Sequence, residues 1–107
     1  SVDGLPSHVS SFYRLIQLIA FDGKEISEDL HIQVKNLTEE IMDELNKKLD
    51  ITNFWKKASL VRELEGNLED LLDFYGIDEV QAKYQQLTAN IIKLARDTEN
   101  IIKRNRK

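Results

Sequence analysis

Few residues in this chain have the types and spacing that chemistry needs. Glu28 and His31 form a Glu-x-x-His, which on a helix can bring a carboxylate and an imidazole to one metal. Such a site requires a second Glu-x-x-His and further inward glutamates. The only other histidine is His8, near the N-terminus, so an exposed histidine beside an acid is the preferred reading and no metal site is expected. The acidic pairs Glu39-Glu40, Asp43-Glu44 and Glu69-Asp70 could share protons only if buried against each other. Their places beside apolar stripes put them on solvated faces instead. With Gly4, Gly23, Gly66 and Gly76 as the only glycines, no phosphate-cradling G-x-x-x-x-G-K-[ST] loop can be written. There is no G-x-S-x-G elbow, and zero cysteines exclude a thiol nucleophile, a disulfide or a thiolate metal site. No catalytic residue, metal or cofactor is expected.

Two surface features remain. Lys93, Arg96, Asn100, Lys103 and Lys107 follow one another at three-or-four spacing, with Arg104 and Arg106 beside them. On one helix that row could track a nucleic-acid backbone through phosphate contacts. Equally, cations near a helix C-terminus complement its dipole, and Asp97 and Glu99 are close enough in sequence to pair with them. Phe54 and Trp55 form the second feature. They diverge by about 100° on a helix, so both can cover the core, or Trp55 can anchor a partner, as tryptophan does at interface hot spots. Arg62 and Gly66 share the face of that helix opposite its apolar stripe, where a bare backbone suits close approach.

These positions need helices to hold them. Phe12, Leu15, Ile16, Leu18, Ile19 and Phe21 leave the first helix, expected from Ser10 or Ser11 to about Asp22, apolar nearly all round, which predicts a central, many-sided burial. Residues 1–10, with Gly4 and Pro6, read as a flexible lead-in, and 11–107 as the helical domain. Gly23 is the expected stop and Ser27 the next N-cap, with Glu28 and Asp29 at the positive end of the dipole. Leu30, Val34, Leu37, Ile41, Leu45 and Leu49 carry one apolar face through a long second helix, with Thr38 as its one conceivable break. Asn53 is expected to cap a third helix whose stripe is Val61, Leu64, Leu68, Leu71, Leu72 and Tyr75. Gly76 should end it in the left-handed conformation, with Ile77 folding back. Asp78 and Gln81 have capping-box spacing, and a fourth helix is expected with Val80, Tyr84, Leu87, Ile91, Leu94, Thr98 and Ile101 inward. The fold class expected is all-α, a single compact bundle of about four helices with short loops.

At 107 residues this is one domain. The net charge of −4 hides an asymmetry: residues 1–50 hold ten acids and five bases, residues 83–107 two acids and seven bases. The apolar run in LIQLIAF is too short to span a bilayer, so a soluble protein is expected. The opening SVDGLPS, without a methionine, reads as part of a longer polypeptide.

Phe54-Trp55 followed by Lys56-Lys57, then the Leu-rich helix, the Gly76-Ile77 break and IIKLAR (Ile91 to Arg96), resembles the C-terminal helical region of the restriction (motor) subunit of type I restriction-modification enzymes. FYRLIQLI, Phe12 to Ile19, is similar to an earlier helix of that region. The similarity spans roughly Ser11 to Arg96, and its weight lies in the order and spacing of short motifs. The chain departs from the family pattern at Ala58, where a proline often stands, and at Glu65, where a basic residue often stands. The resemblance implies a non-catalytic domain of a parent that is an ATP-dependent site-specific deoxyribonuclease, a hydrolase of the cytoplasm, with ATP and Mg bound elsewhere in the parent. It implies methyltransferase and specificity subunits as partners, for which Trp55, Arg62 and Gly66 are the candidate contact residues read from the chain itself. It also fits a DNA contact, for which the basic residues Lys93, Arg96, Lys103, Arg104, Arg106 and Lys107 are the candidates, and no membrane is expected. Two rival readings are a free-standing helical protein-protein adaptor and a small all-α enzyme of the chorismate mutase kind, which would need cations such as Arg14 to converge inside the bundle.

Overall fold

The computed structural model describes residues 2–105; Arg106 and Lys107 lie outside that range. Among the described residues all regular structure is helical: α1 (Ser7–Phe21), α2 (Glu28–Leu49), a 3-10 turn (Phe54–Lys56), α3 (Ala58–Phe74), α4 (Asp78–Gln81), α5 (Tyr84–Asp97) and α6 (Glu99–Asn105). The all-α expectation holds. Six α-helices are described rather than about four, because the expected fourth helix is broken twice, into α4, α5 and α6; the expected third loses only its first turn, to the 3-10 segment.

α1 begins at Ser7, earlier than Ser10 or Ser11. Pro6 precedes it at φ −59° and its carbonyl accepts from the N–H groups of Val9 and Ser10, as suits a residue whose ring already fixes a helical φ. Ser10, expected as a cap, is instead buried. Its hydroxyl accepts from the Val2 N–H at 3.1 Å and donates to the Leu5 carbonyl at 3.4 Å, and this bracing brings Val2 and Leu5 into the core. α1 ends where Asp22 and Gly23 both adopt positive φ, the Gly23 N–H closing onto the Gln17 carbonyl at 3.0 Å. Its place is a correction. The helix is one wall of the bundle, packed on α2, α5 and α4, and Leu18 is 62% exposed. Apolar residues on every side of a helix permit central burial but do not compel it, since much protein surface is apolar.

α2 is continuous. Ser27 Oγ accepts from the Leu30 N–H at 3.2 Å, with Glu28 and Asp29 in the first turn and Lys47 and Lys48 in the last, so both ends match the helix dipole. Thr38 does not break it, because the buried hydroxyl donates to the Val34 carbonyl one turn back, at 2.7 Å. Asn53 adopts φ +57° but makes no side-chain cap. The Phe54–Lys56 turn follows, and Lys57, at φ −102° and ψ 88°, separates it from α3. Gly76 takes φ +64° as expected, and Ile77 is buried behind it.

The capping box is not formed. Ile77 holds the N-cap position of α4, and Gln81 Nε2 reaches back to the Asp73 carbonyl and carboxylate, at 3.1 Å each. After α4 the chain turns at Ala82 and Lys83 and starts α5. Thr98 then ends α5, its own N–H and hydroxyl both bonding the Leu94 carbonyl, and α6 swings to bury Ile102 against α2 while Ile101 stays 40% exposed. The inward row is therefore Val80, Leu87, Ile91, Ala95 and Ile102, rather than the seven-residue spacing ending at Ile101. The core lies inside the circuit of α1, α2, α3 and α5, each packed on the next. Phe12, Ile16, Leu37, Ile41, Leu45, Leu64, Leu68, Leu72, Leu87 and Ile91 are all wholly buried there.

Candidate functional site

The breaks at Lys57 and Thr98 assemble the most connected surface cluster. Phe54 turns into the core, and its ring meets that of Trp55 edge-on at 4.9 Å between centroids. The two aromatics thus touch each other, not only separate neighbours as a continuous helix would dictate. Trp55 stays half-buried at the rim. Its indole N–H donates to Glu99 Oε1 at 3.0 Å, and the Arg96 guanidinium lies 5.2 Å from the ring centroid, within reach of a cation–π attraction. Glu99 also holds Lys103 at 2.9 Å. A partner-binding candidate, Trp55, and two phosphate-binding candidates, Arg96 and Lys103, so form one patch.

The remaining candidates are dispersed. Lys93 lines a shallow groove of about 320 Å³ with Arg14 and Leu18 of α1, and it pairs with Asp97 at a loose 3.8 Å with both side chains mostly in water. Such a pair contributes little to stability. Arg104 is exposed on α6. The unbroken cationic row expected from Lys93 onward is thus divided at Thr98, and Arg106 and Lys107 fall outside the described residues. Arg62 is exposed on the outer face of α3, one turn before Gly66. A β-carbon built on Gly66 would meet nothing within 4 Å, so that backbone is open to approach from outside.

Sequence reasoning missed a polar network between α2 and α3. Lys48 is largely buried and bonds Glu63 at 2.6 Å and Glu44 at 3.3 Å, while Asn67 Nδ2 donates to Glu44 at 2.8 Å. The hydrogen bond to Glu63 holds the Lys48 ammonium above its ordinary value of 10.5, outweighing the opposing effect of burial, with Glu44 adding to the rise. The Glu44 to Lys48 spacing was legible as a helical pair; the partner across the interface was not. Tyr75 donates its hydroxyl to Glu40, and burial first, then that bond, pushes its pKa up to about 12. His31 is engaged by the Tyr13 hydroxyl through Nδ1 at 2.7 Å; burial raises the Tyr13 pKa against the opposing charge of Arg14, with Glu28 adding a smaller rise. Arg14, the cation that the small-enzyme alternative wants inside the bundle, is exposed.

Of the acidic pairs, Glu39, Glu40, Asp43 and Asp70 face solvent, whereas Glu44 belongs to the Lys48 network. No three His, Cys, Asp or Glu side chains among the described residues group as metal ligands, and no helix among them is long and apolar enough to cross a membrane. No family model, curated protein or solved structure matches the chain.

Proposed function

We propose that this chain is a non-catalytic helical docking domain of the kind found at the C-terminal end of a type I restriction motor subunit. In that reading it supports assembly with the methyltransferase and specificity subunits in the cytoplasm and contacts DNA along the α5–α6 edge, while ATP, Mg and the endonuclease chemistry belong to other parts of the parent. One observation supports it above the rest. The Phe-Trp turn and the IIKLAR helix, the two stretches on which the resemblance leans most, meet on the outside of the bundle through Trp55, Arg96 and Glu99. The apolar seams are spent on a closed core, so outer faces are what the domain has to act with.

The test has two arms. Sedimentation of the chain with a type I methyltransferase–specificity complex should show co-migration, weakened about tenfold or more by W55A or R62E, since hot-spot truncations cost on the order of 2 kcal/mol. No co-migration would reject docking. For DNA, the four described cations less the two carboxylates that pair with them leave two free charges, and adding Arg106, Lys107 and release of both pairs raises this to six. The slope of log affinity against log salt on duplex should therefore lie between about −2 and −5. A slope of zero would reject the DNA contact and leave docking standing.

A further inference from the structure

Between α2 and α3 runs a groove of about 450 Å³, walled by Glu40, Asp43 and Glu44 on one side and by Asp70, Leu71 and Phe74 on the other. Of its four carboxylates Glu44 is already paired with Lys48, and the other three against the single lining cation Lys47 leave a net charge of about −2. Phe74 is 79% exposed, the most exposed large apolar side chain described. It sits off the α3 stripe, so core packing does not account for it. The last turn of α3 carries no base, and Asp70 and Asp73 stand near the negative end of the helix dipole, where acids are disfavoured. An exposed phenylalanine and badly placed acids both disadvantage the isolated chain. Both become favourable once a cationic segment with an apolar residue covers them.

The chain carries such a segment. α6 exposes Ile101 beside Lys103 and Arg104, and the sequence continues with two more bases, Arg106 and Lys107. We propose that α6 of a second copy of this chain docks in the groove, Ile101 against Phe74 and Leu71, with Lys103 and Arg104 toward Asp43 and Asp70. Each chain has both halves of the contact, so two copies that each seat the exposed face of α6 in the other's groove, Ile102 staying on its own α2, form a closed dimer. Lys103 and Arg104 are shared with the DNA reading, but the test uses neither partner nor DNA, so the two can fail independently.

Sedimentation equilibrium of the whole chain over a range of concentrations should show a monomer–dimer equilibrium. Raising salt from about 0.05 M to about 0.5 M should weaken it roughly tenfold or more, because the attraction is between exposed charges. F74S should weaken it at least about tenfold with an unchanged helical circular dichroism signal. The reversals D43K/D70K and K103E/R104E should each leave monomers, and mixing the two should restore a heterodimer, since each altered surface then faces a complementary one. A monomer at every concentration overturns the proposal. So does association that survives both reversals, or a mixture of the two reversed proteins, each shown to be folded, that stays monomeric.

Discussion

Ile101 and Ile102 are adjacent, chemically identical and opposite in fate. If α5 ran on without a break, the seven-residue spacing from Val80 through Leu87 and Leu94 would bring Ile101 inward. With the break at Thr98, Ile102 is 1% exposed and Ile101 is 40% exposed. Truncating a buried isoleucine to alanine costs about 2–5 kcal/mol. α6 has only seven residues and is the last described helix, where local opening lowers the cost, so I102A should lose about 2 kcal/mol. I101A removes a partly wet side chain and should lose about 0.5–1 kcal/mol. For a domain of this size each kcal/mol lowers Tm by about 4–8 °C, giving about 8–16 °C against at most about 8 °C. Urea unfolding followed by circular dichroism, and by the fluorescence of the one tryptophan, Trp55, would measure both variants. Equal losses, or a larger loss for I101A, would refute the break and the inward row derived from it.

Gly66 leaves open space around an added β-carbon, so G66A should raise stability by about 0.5–1 kcal/mol through helix propensity; if a partner packs against that bare backbone, the same variant should also lose co-migration with the methyltransferase–specificity complex. K48A should destabilise by about 1–3 kcal/mol in denaturant titrations at neutral pH, since it strands Glu44, whose side chain is 12% exposed. Because the folded-state pKa of Lys48 is raised, its contribution is complete below 10.5 and fades as pH climbs through the raised value, so wild type and K48A should converge in strong alkali. Phenolate absorbance should include one component with a midpoint near 12, against an ordinary 10.0, which Y75F removes and E40Q moves down. Folding holds that proton on while the unfolded chain releases it, so Tyr75 lowers stability between those two pH values and Y75F should be the less alkali-sensitive protein.

Periodicity made much of this fold legible. The α2 stripe, the Ser27 cap and the Gly76-Ile77 stop were readable because each depends on residues within a turn or two of one another. The illegible parts depend on tertiary competition. Nothing near Thr98 in sequence forbids a continuous helix; the break turns Ile102 onto α2, a contact that only the packed fold supplies. α1 looked central because its composition is apolar, yet three neighbours suffice and Leu18 is left in water. At the candidate site, Trp55 and Arg96 were each legible as surface candidates. Their meeting across 41 positions of sequence was not, because it needs the 3-10 turn and the α5–α6 break together. Lys48 was legible only as a helical pair with Glu44 for the same reason, since its other partner Glu63 arrives only when α3 packs on α2.

Partner docking through the outer edge around Trp55 is the central claim of the proposed function. A chain labelled with 5-fluorotryptophan gives a single fluorine resonance, because Trp55 is the one tryptophan, and that resonance can be followed while an unlabelled methyltransferase–specificity complex is added. The account predicts a shift or broadening that saturates with the complex and is lost in R96E. An unchanged resonance at saturating complex would contradict it.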